Sequence, residues 1–287
     1  MNQINLFIEL IRLRRPIGYM LLFWPCAWGL TISYDFNSEK ITYVFYLLLF
    51  FFGAVLMRSA GCIINDISDK NFDKKVKRTK NRPIAQGKIS VRRGLVYSSI
   101  LCLIALIVLL QFNNLTIILA LLSMPLAFTY PLMKRFTYWP QLFLGITFNY
   151  GVILGWTSIK EQVDIIAIIL YFGAIFWTLG YDTIYGFQDI KDDEIIGLKS
   201  TSIKFKKKPH MFLALCYSIF LISLFIVGFF LKLNSFFYLI LILTFIQMFY
   251  FQIGKLKIKD SIKCLSIFKS NNVVGLLVMI SLISGKI

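Results

Sequence analysis

The sequence predicts an all-α, polytopic membrane protein, with about nine transmembrane helices forming one integral membrane domain over residues 1–287. Three observations carry that expectation. Hydrophobic residues make up 58% of the chain and charged ones 16%, with mean hydropathy +0.73, far from soluble globular domains. Apolar runs long enough to cross a bilayer as helices, about 20 residues each, recur along the chain. The polar/apolar alternation of a membrane β-barrel is missing.

The runs lie at 17–34, 42–65, 94–112, 115–133, 139–158, 163–185, 210–231, 235–253 and 265–285. The fourth contains Pro125 and Pro131 and the ninth is polar at its start, so eight spans also fit. The net charge of +17 would suit a nucleic-acid binder, but the positions of the charges argue otherwise. Arg12, Arg14 and Arg15 precede the first run. Lys70, Lys74, Lys75, Lys77, Arg78, Lys80, Arg82, Lys88, Arg92 and Arg93 follow the second. Lys134 and Arg135 follow the fourth, and further lysines follow the sixth and eighth, including 204–208. The opposite side receives only Lys40, Lys160, Lys232 and Lys286. This is the positive-inside pattern with a cytoplasmic amino terminus, so the basic excess reads as topology and no nucleic-acid partner is expected.

The opening "MNQINLFIELIRLRRP" has no apolar stretch ahead of its charges, so no cleavable signal peptide is expected. The five cysteines are scattered and predict no disulfide framework. His210 is the single histidine, which excludes histidine-based metal sites and histidine-dependent triads.

The acids are the most informative residues. Of fourteen Asp and Glu, eight fall in two short stretches: Asp66, Asp69 and Asp73, then Asp182, Asp189, Asp192, Asp193 and Glu194. Both lie at the cytoplasmic ends of runs. Asn65, Asp69 and Asp73 recur every four residues, and Asp182, Asp189 and Asp193 are spaced seven and four, so each set would line one helix face. Two facing carboxylate stripes repel unless cations sit between them. Oxygen ligands select magnesium or calcium, and magnesium binds through one or two carboxylates plus phosphate oxygens. The pattern therefore asks for a phosphorylated substrate. Arg15, Lys74, Arg78, Arg82, Lys134 and Arg135 lie at the same membrane face and are nearby candidates to hold it, with Arg58. Arg58 stands inside an apolar run, where an arginine should face the bundle interior.

The segment "NDISDKNFD" (Asn65 to Asp73) matches the NDxxDxxxD signature of the UbiA family of intramembrane prenyltransferases. "DTIYGFQDIKDDEIIGLKST" (Asp182 to Thr201) and "RLRRPIGYMLLFWPCAWGL" (Arg12 to Leu30) resemble its 4-hydroxybenzoate branch. "NRPIAQGKIS" (Asn81 to Ser90) and "YPLMKRFTYWPQ" (Tyr130 to Gln141) resemble the family's intervening loops. Gly186 stands where the branch commonly has alanine, a departure expected to be harmless.

The resemblance implies nine helices around a central cavity with the two acidic motifs facing each other across its mouth. It puts Asn65, Asp69, Asp73, Asp189 and Asp193 on Mg2+ and diphosphate. Tyr130 and Lys134 match a YxxxK element near the diphosphate, and Arg135 is a candidate partner for the aromatic carboxylate. Arg15, Arg58 and Arg82 are further charge partners, and Asp182 opens the second motif. The implied reaction joins a polyprenyl diphosphate and 4-hydroxybenzoate at the ring carbon ortho to the hydroxyl, a step of ubiquinone biosynthesis. Another acceptor, dihydroxynaphthoate or haem, is the alternative within the family. A divalent-cation transporter is the alternative outside it, although acids crowded at one face fit a transport path poorly. The expected location is a bacterial inner membrane, with the mitochondrial inner membrane as the alternative.

Overall fold

The computed structural model describes residues 3–76 and 78–287; Lys77, one of the basic residues after the second run, lies outside them. The described residues form helices and no strand. A short α1 (Gln3–Leu10) is followed by α2 (Ile17–Ser33), α3 (Lys40–Ser68) and a single turn α4 (Lys70–Asp73). Next come α5 (Val91–Leu109) and α6 (Asn114–Thr129), which tightens into a 3-10 turn over Tyr130–Arg135. α7 (Pro140–Asn149) and α8 (Gly151–Lys160) form one span broken at Tyr150, and α9 (Ile165–Gly186) follows. Two short helices, α10 (Ile190–Ile196) and α11 (Thr201–Lys204), lead to α12 (Pro209–Phe230), α13 (Ser235–Ile246) with a π-helical end Gln247–Ile253, and α14 (Ser261–Lys286).

Eight segments among the described residues are long and apolar enough to cross a bilayer, and α2, at 17 residues, is a shorter ninth. The chain is a multi-pass membrane protein. Each of the nine runs finds its helix, with ends displaced by no more than a few residues. α5 starts at Val91 because the Ser90 hydroxyl accepts from Arg93 N at 3.2 Å, so two arginines that hydropathy placed outside belong to its first turn. Asn113, Asp164, Asn234 and Asp260 cap α6, α9, α13 and α14 in the same way.

Small residues bring the helices together, as expected where water supplies no drive for association. A Cβ on Gly29 of α2 would lie 2.1 Å from the Val152 carbonyl oxygen of α8, and one on Gly155 would lie 2.2 Å from that of Cys26. Backbone therefore packs on backbone along this pair. At the centre, Trp28, Trp177 and Phe220 stack, with Trp177 and Phe220 centroids 5.8 Å apart. The two indoles are fully buried and satisfied: Trp28 Nε1 donates to the Gly275 carbonyl at 3.1 Å and Trp177 Nε1 to Asn271 Oδ1 at 2.9 Å. α5 and α6 lie at the periphery, with 17% and 11% of their apolar stretches buried against 56% for α9.

A satellite cluster forms at the basic end. Leu6, Leu10 and Ile11 pack on Ala60 and Ile63 of α3, on Ile84 and Ile89 from the loop before α5, and on Leu101. α1 is thereby fixed to the end of α3, and the chain leaves it through Arg12 at φ 55°.

Candidate active site

α3 has 29 residues and so runs for about 43 Å, longer than the roughly 30 Å hydrocarbon core. Its last turns thus emerge with Asn65, Asp66 and Asp69. The regular helix stops at Ser68, yet Asp69 N bonds to Asn65 O at 2.9 Å and Asp73 N to Asp69 O at 2.8 Å. Those two bonds carry the four-residue stripe across the break, so Asn65, Asp69 and Asp73 share a face. The second stripe is divided. α9 ends at Gly186, leaving Asp182 inside it, while Asp189 precedes α10 and remains one turn from Asp193 through an Asp193 N to Asp189 O bond of 2.9 Å.

The cations between the stripes are side chains of the protein itself. Arg78 grips Asp189 from two nitrogens, Nε to Oδ1 at 2.8 Å and Nη2 to Oδ2 at 2.5 Å, and its Nη1 donates to the Tyr185 hydroxyl at 2.7 Å. Lys134 Nζ donates to Asp69 Oδ2. Arg82 Nη1 donates to Asp73 Oδ2 at 2.8 Å and to Asp66 Oδ1 at 3.0 Å, and Arg12 Nη2 reaches the same Asp66 oxygen at 2.5 Å. Paired charges of this kind permit burial that bare carboxylates would resist.

Burial pushes the Asp69 carboxyl above the usual carboxylate range, with Lys134 opposing the shift. Burial, and then the neighbouring Asp189, push Asp193 up to about 6. Both groups favour a further positive partner. No three acids among the described residues converge into a cage that could hold a metal alone. One acid has an open ligand position, however: Asp69 Oδ1 is buried without a hydrogen-bond partner, with Arg135 Nη2 3.9 Å away. This donor set fits a hard cation that takes one or two carboxylates and completes its shell with phosphate oxygens.

The remaining expected residues separate into groups. Arg135 donates to the Ser68 carbonyl at 2.7 Å and covers the Phe72 ring at 5.1 Å, so it closes the end of α3. Arg58 has a buried Nε with no hydrogen-bond partner, lies 5.5 Å over Phe148, and backs onto Gly18, where a Cβ would come within 2.9 Å of that nitrogen. Tyr130 meets the same Phe148 ring edge-on at 6.4 Å. The charge of Asp182 interacts with Arg58 and Arg78. Arg15 is not drawn in. It is exposed and lines a surface pocket of about 340 Å³ with Asn5, Ile8, Glu9, Arg12 and Arg14.

Two loops are joined behind the acids. Lys199 N donates to the Lys134 carbonyl at 2.9 Å, Thr201 N to Gln141 Oε1 at 3.0 Å, and the Ser202 hydroxyl to the Thr183 carbonyl at 2.8 Å. The tail of the second motif thus holds the turn that carries Lys134. Gly186 belongs to this joint, because a Cβ there would lie 2.3 Å from Ser202 Oγ. Alanine at this position would move that hydroxyl, so the glycine is matched to Ser202 and not an idle departure.

The model of the UbiA prenyltransferase family matches residues 22–274, which include every acid of both motifs. The chain belongs to the UbiA prenyltransferase family. The rat protein named 4-hydroxybenzoate polyprenyltransferase, mitochondrial, is 48% identical over 209 residues, covering 72% of this chain and 55% of its own length. The Arabidopsis thaliana protein of the same name is 44% identical over 213 residues, covering 74% and 52%. A 4-hydroxybenzoate geranyltransferase of Lithospermum erythrorhizon is 45% identical, covering 74% and 68%. The chain spans about half the length of the mitochondrial relatives it matches.

Solved UbiA homologues share the fold. That of Aeropyrum pernix K1 superposes with a TM-score of 0.73 at 22% identity, covering 94% of this chain and 97% of its own. That of Archaeoglobus fulgidus, bound to DMAPP and Mg2+, gives 0.71 at 18%, covering 97% and 99%.

Proposed function

We propose that this protein transfers a polyprenyl group from polyprenyl diphosphate to the ring carbon ortho to the hydroxyl of 4-hydroxybenzoate, releasing diphosphate. The observation that carries the reading is the alternation of paired charges at the basic end, with one buried aspartate oxygen, Asp69 Oδ1, left open. The names of relatives 44–49% identical over most of the chain support the acceptor.

Asn65, Asp69 and Asp73, with Asp189 and Asp193, would hold Mg2+. When bound, it would supply Lewis-acid stabilisation of the departing diphosphate. The protein's own groups do the rest. Lys134 and Arg78, with Arg12 and Arg82 beside them, stand ready to meet phosphate oxygens through charge-assisted hydrogen bonds. Fixed in place beforehand, they meet the negative charge that develops as the allylic C–O bond breaks and its electron pair leaves with diphosphate. The ring carbon then bonds to the allylic carbon and its proton is lost. The basic end would face the cytoplasm of a bacterium, or the matrix if the chain is mitochondrial.

Arg58, rather than Arg135, would take the aromatic carboxylate, because its Nε is buried and unsatisfied while Arg135 is committed to Ser68 and Phe72. Arg58→Met is expected to raise KM for 4-hydroxybenzoate about 30-fold, from a buried charge pair worth about 2 kcal/mol. KM for the prenyl diphosphate should stay within about twofold. Steady-state kinetics varying each substrate in turn check this, and a change confined to the diphosphate would reassign Arg58.

The reading as a whole is tested by supplying membranes that contain the protein with 4-hydroxybenzoate and labelled polyprenyl diphosphate. Prenylated product should form with magnesium and vanish with chelator. Diphosphate binding without product would point to another acceptor.

A further inference from the structure

We infer that Asp66 is a positioning residue that holds Arg12 and Arg82 together as a two-guanidinium cradle for the diphosphate, and is not a metal ligand. The inference deepens the function proposed above and rests on it for the identity of the anion.

Asp66 differs from the other acids of its motif in direction, saturation and surroundings. It stands one position off the face shared by Asn65, Asp69 and Asp73, which on a helix is a rotation of about 100°. That rotation turns it away from the second acidic motif and toward α1 and the loop that carries Arg82. It is 2% exposed, and its Oδ1 already accepts from Arg12 Nη2 at 2.5 Å and from Arg82 Nη1 at 3.0 Å. A divalent cation on that oxygen would be crowded by two guanidinium charges. Asp69 shows the contrasting arrangement, one lysine on Oδ2 and an unpartnered Oδ1.

The backbone supports the same division. Arg12 adopts φ 55°, a left-handed conformation that a non-glycine residue occupies at a cost of about 1 kcal/mol. The conformation persists because Leu6, Leu10 and Ile11 anchor the preceding helix in their own apolar cluster. The result of that anchoring and strain is to deliver one guanidinium to Asp66 from a residue 54 positions away in the chain. Arg82 arrives from the other side and is shared with Asp73. Two like charges converging on one carboxylate oxygen would separate without it. Held together, they match an anion with several oxygens, because guanidinium groups pair with phosphate in a fixed fork geometry. Asp66 therefore acts through the arginines.

The test is direct binding of geranyl diphosphate to the full chain in lipid nanodiscs, titrated against magnesium, for wild type, Asp66→Asn, Asp69→Asn and Arg12→Gln. For Asp66→Asn the expected result is about tenfold weaker diphosphate binding at saturating magnesium, with half-saturating magnesium within about twofold of wild type. Asp69→Asn should instead raise half-saturating magnesium by about tenfold or more. Arg12→Gln should reproduce the Asp66→Asn pattern, and the double variant should be no more than about twofold worse than either single one, since both act through one unit. Arg12→Gln carries the same prediction if Asp66→Asn fails to fold. A magnesium shift in Asp66→Asn as large as in Asp69→Asn overturns the inference, as does an Asp66→Asn protein with both constants unmoved. Wild-type protein that binds no geranyl diphosphate would instead overturn the transferase reading on which the inference rests.

Discussion

Asp69→Asn should lower prenyl transfer by about 10²–10³-fold, in the range found when one preorganised electrostatic group is removed from a water-poor site. The substitution preserves shape and can still accept from Lys134. What it removes is the negative charge at a buried aspartate oxygen that has no hydrogen-bond partner. Burial has already raised the proton affinity of this carboxyl, so a cation nearby gains more from it than from a solvated acid. Initial rates over a magnesium titration measure the effect. Near-wild-type turnover at saturating magnesium would show that Asp69 serves structure alone, through its bond to Lys134.

The second large effect is on assembly. Gly155→Val is expected to prevent recovery of folded protein, because even the first added carbon would sit 2.2 Å from the Cys26 carbonyl oxygen and 2.5 Å from Leu30 N. Those atoms belong to the α2 backbone and cannot rotate aside. Overpacking of side chains typically costs about 1–3 kcal/mol, and a clash against backbone exceeds what rotamer changes can absorb. Gly53→Ala is the matched control. It lies in α3, where an added Cβ would meet nothing within 4 Å, and alanine is the better helix former by about 1 kcal/mol. Size-exclusion profiles and thermal unfolding of the two variants in the same detergent make the comparison. A monodisperse, stable Gly155→Val protein would mean that α2 and α8 can separate without loss of the fold.

The spans are legible in the sequence because hydropathy alone decides them: the run 235–253 coincides with the segment Ser235–Ile253. Their internal breaks are not. Hydropathy does not mark the interruption at Tyr150 between α7 and α8, and the flanking Asn149 and Gly151 are a weak signal inside a span that also holds Gly145 and Gly155. In the site, the four-residue spacing of Asn65, Asp69 and Asp73 can be read locally, since one helical turn fixes it. The pairs Arg12–Asp66 and Arg78–Asp189 join residues 54 and 111 positions apart, and spacing along the chain says nothing about such distances. The role of Asp66 is hidden for a related reason. Periodicity selects residues on one face and discards the neighbour that points elsewhere. A signal does exist in the two arginines that flank the motif, Arg12 and Arg82, which need an acid off the main face. The division of the second motif between α9 and α10 is likewise hidden, because seven-plus-four spacing suits a continuous helix and a broken one equally.

Lys134 occupies the end of the span with the smallest buried share among the described residues, 11% of its apolar stretch. Protein contacts hold this arm from the loop side, through Lys199 and Asp69, and at its far end, where Asn113 and Thr116 bond to Thr157 of α8, while most of the shaft between them faces outward. The surrounding acyl chains must therefore act as the missing wall. Lateral pressure and bilayer thickness bear directly on the helix that aims this ammonium, so in the proposed reaction the membrane would be a working part of the site. A change of lipid is in this sense a mutation made without touching the gene.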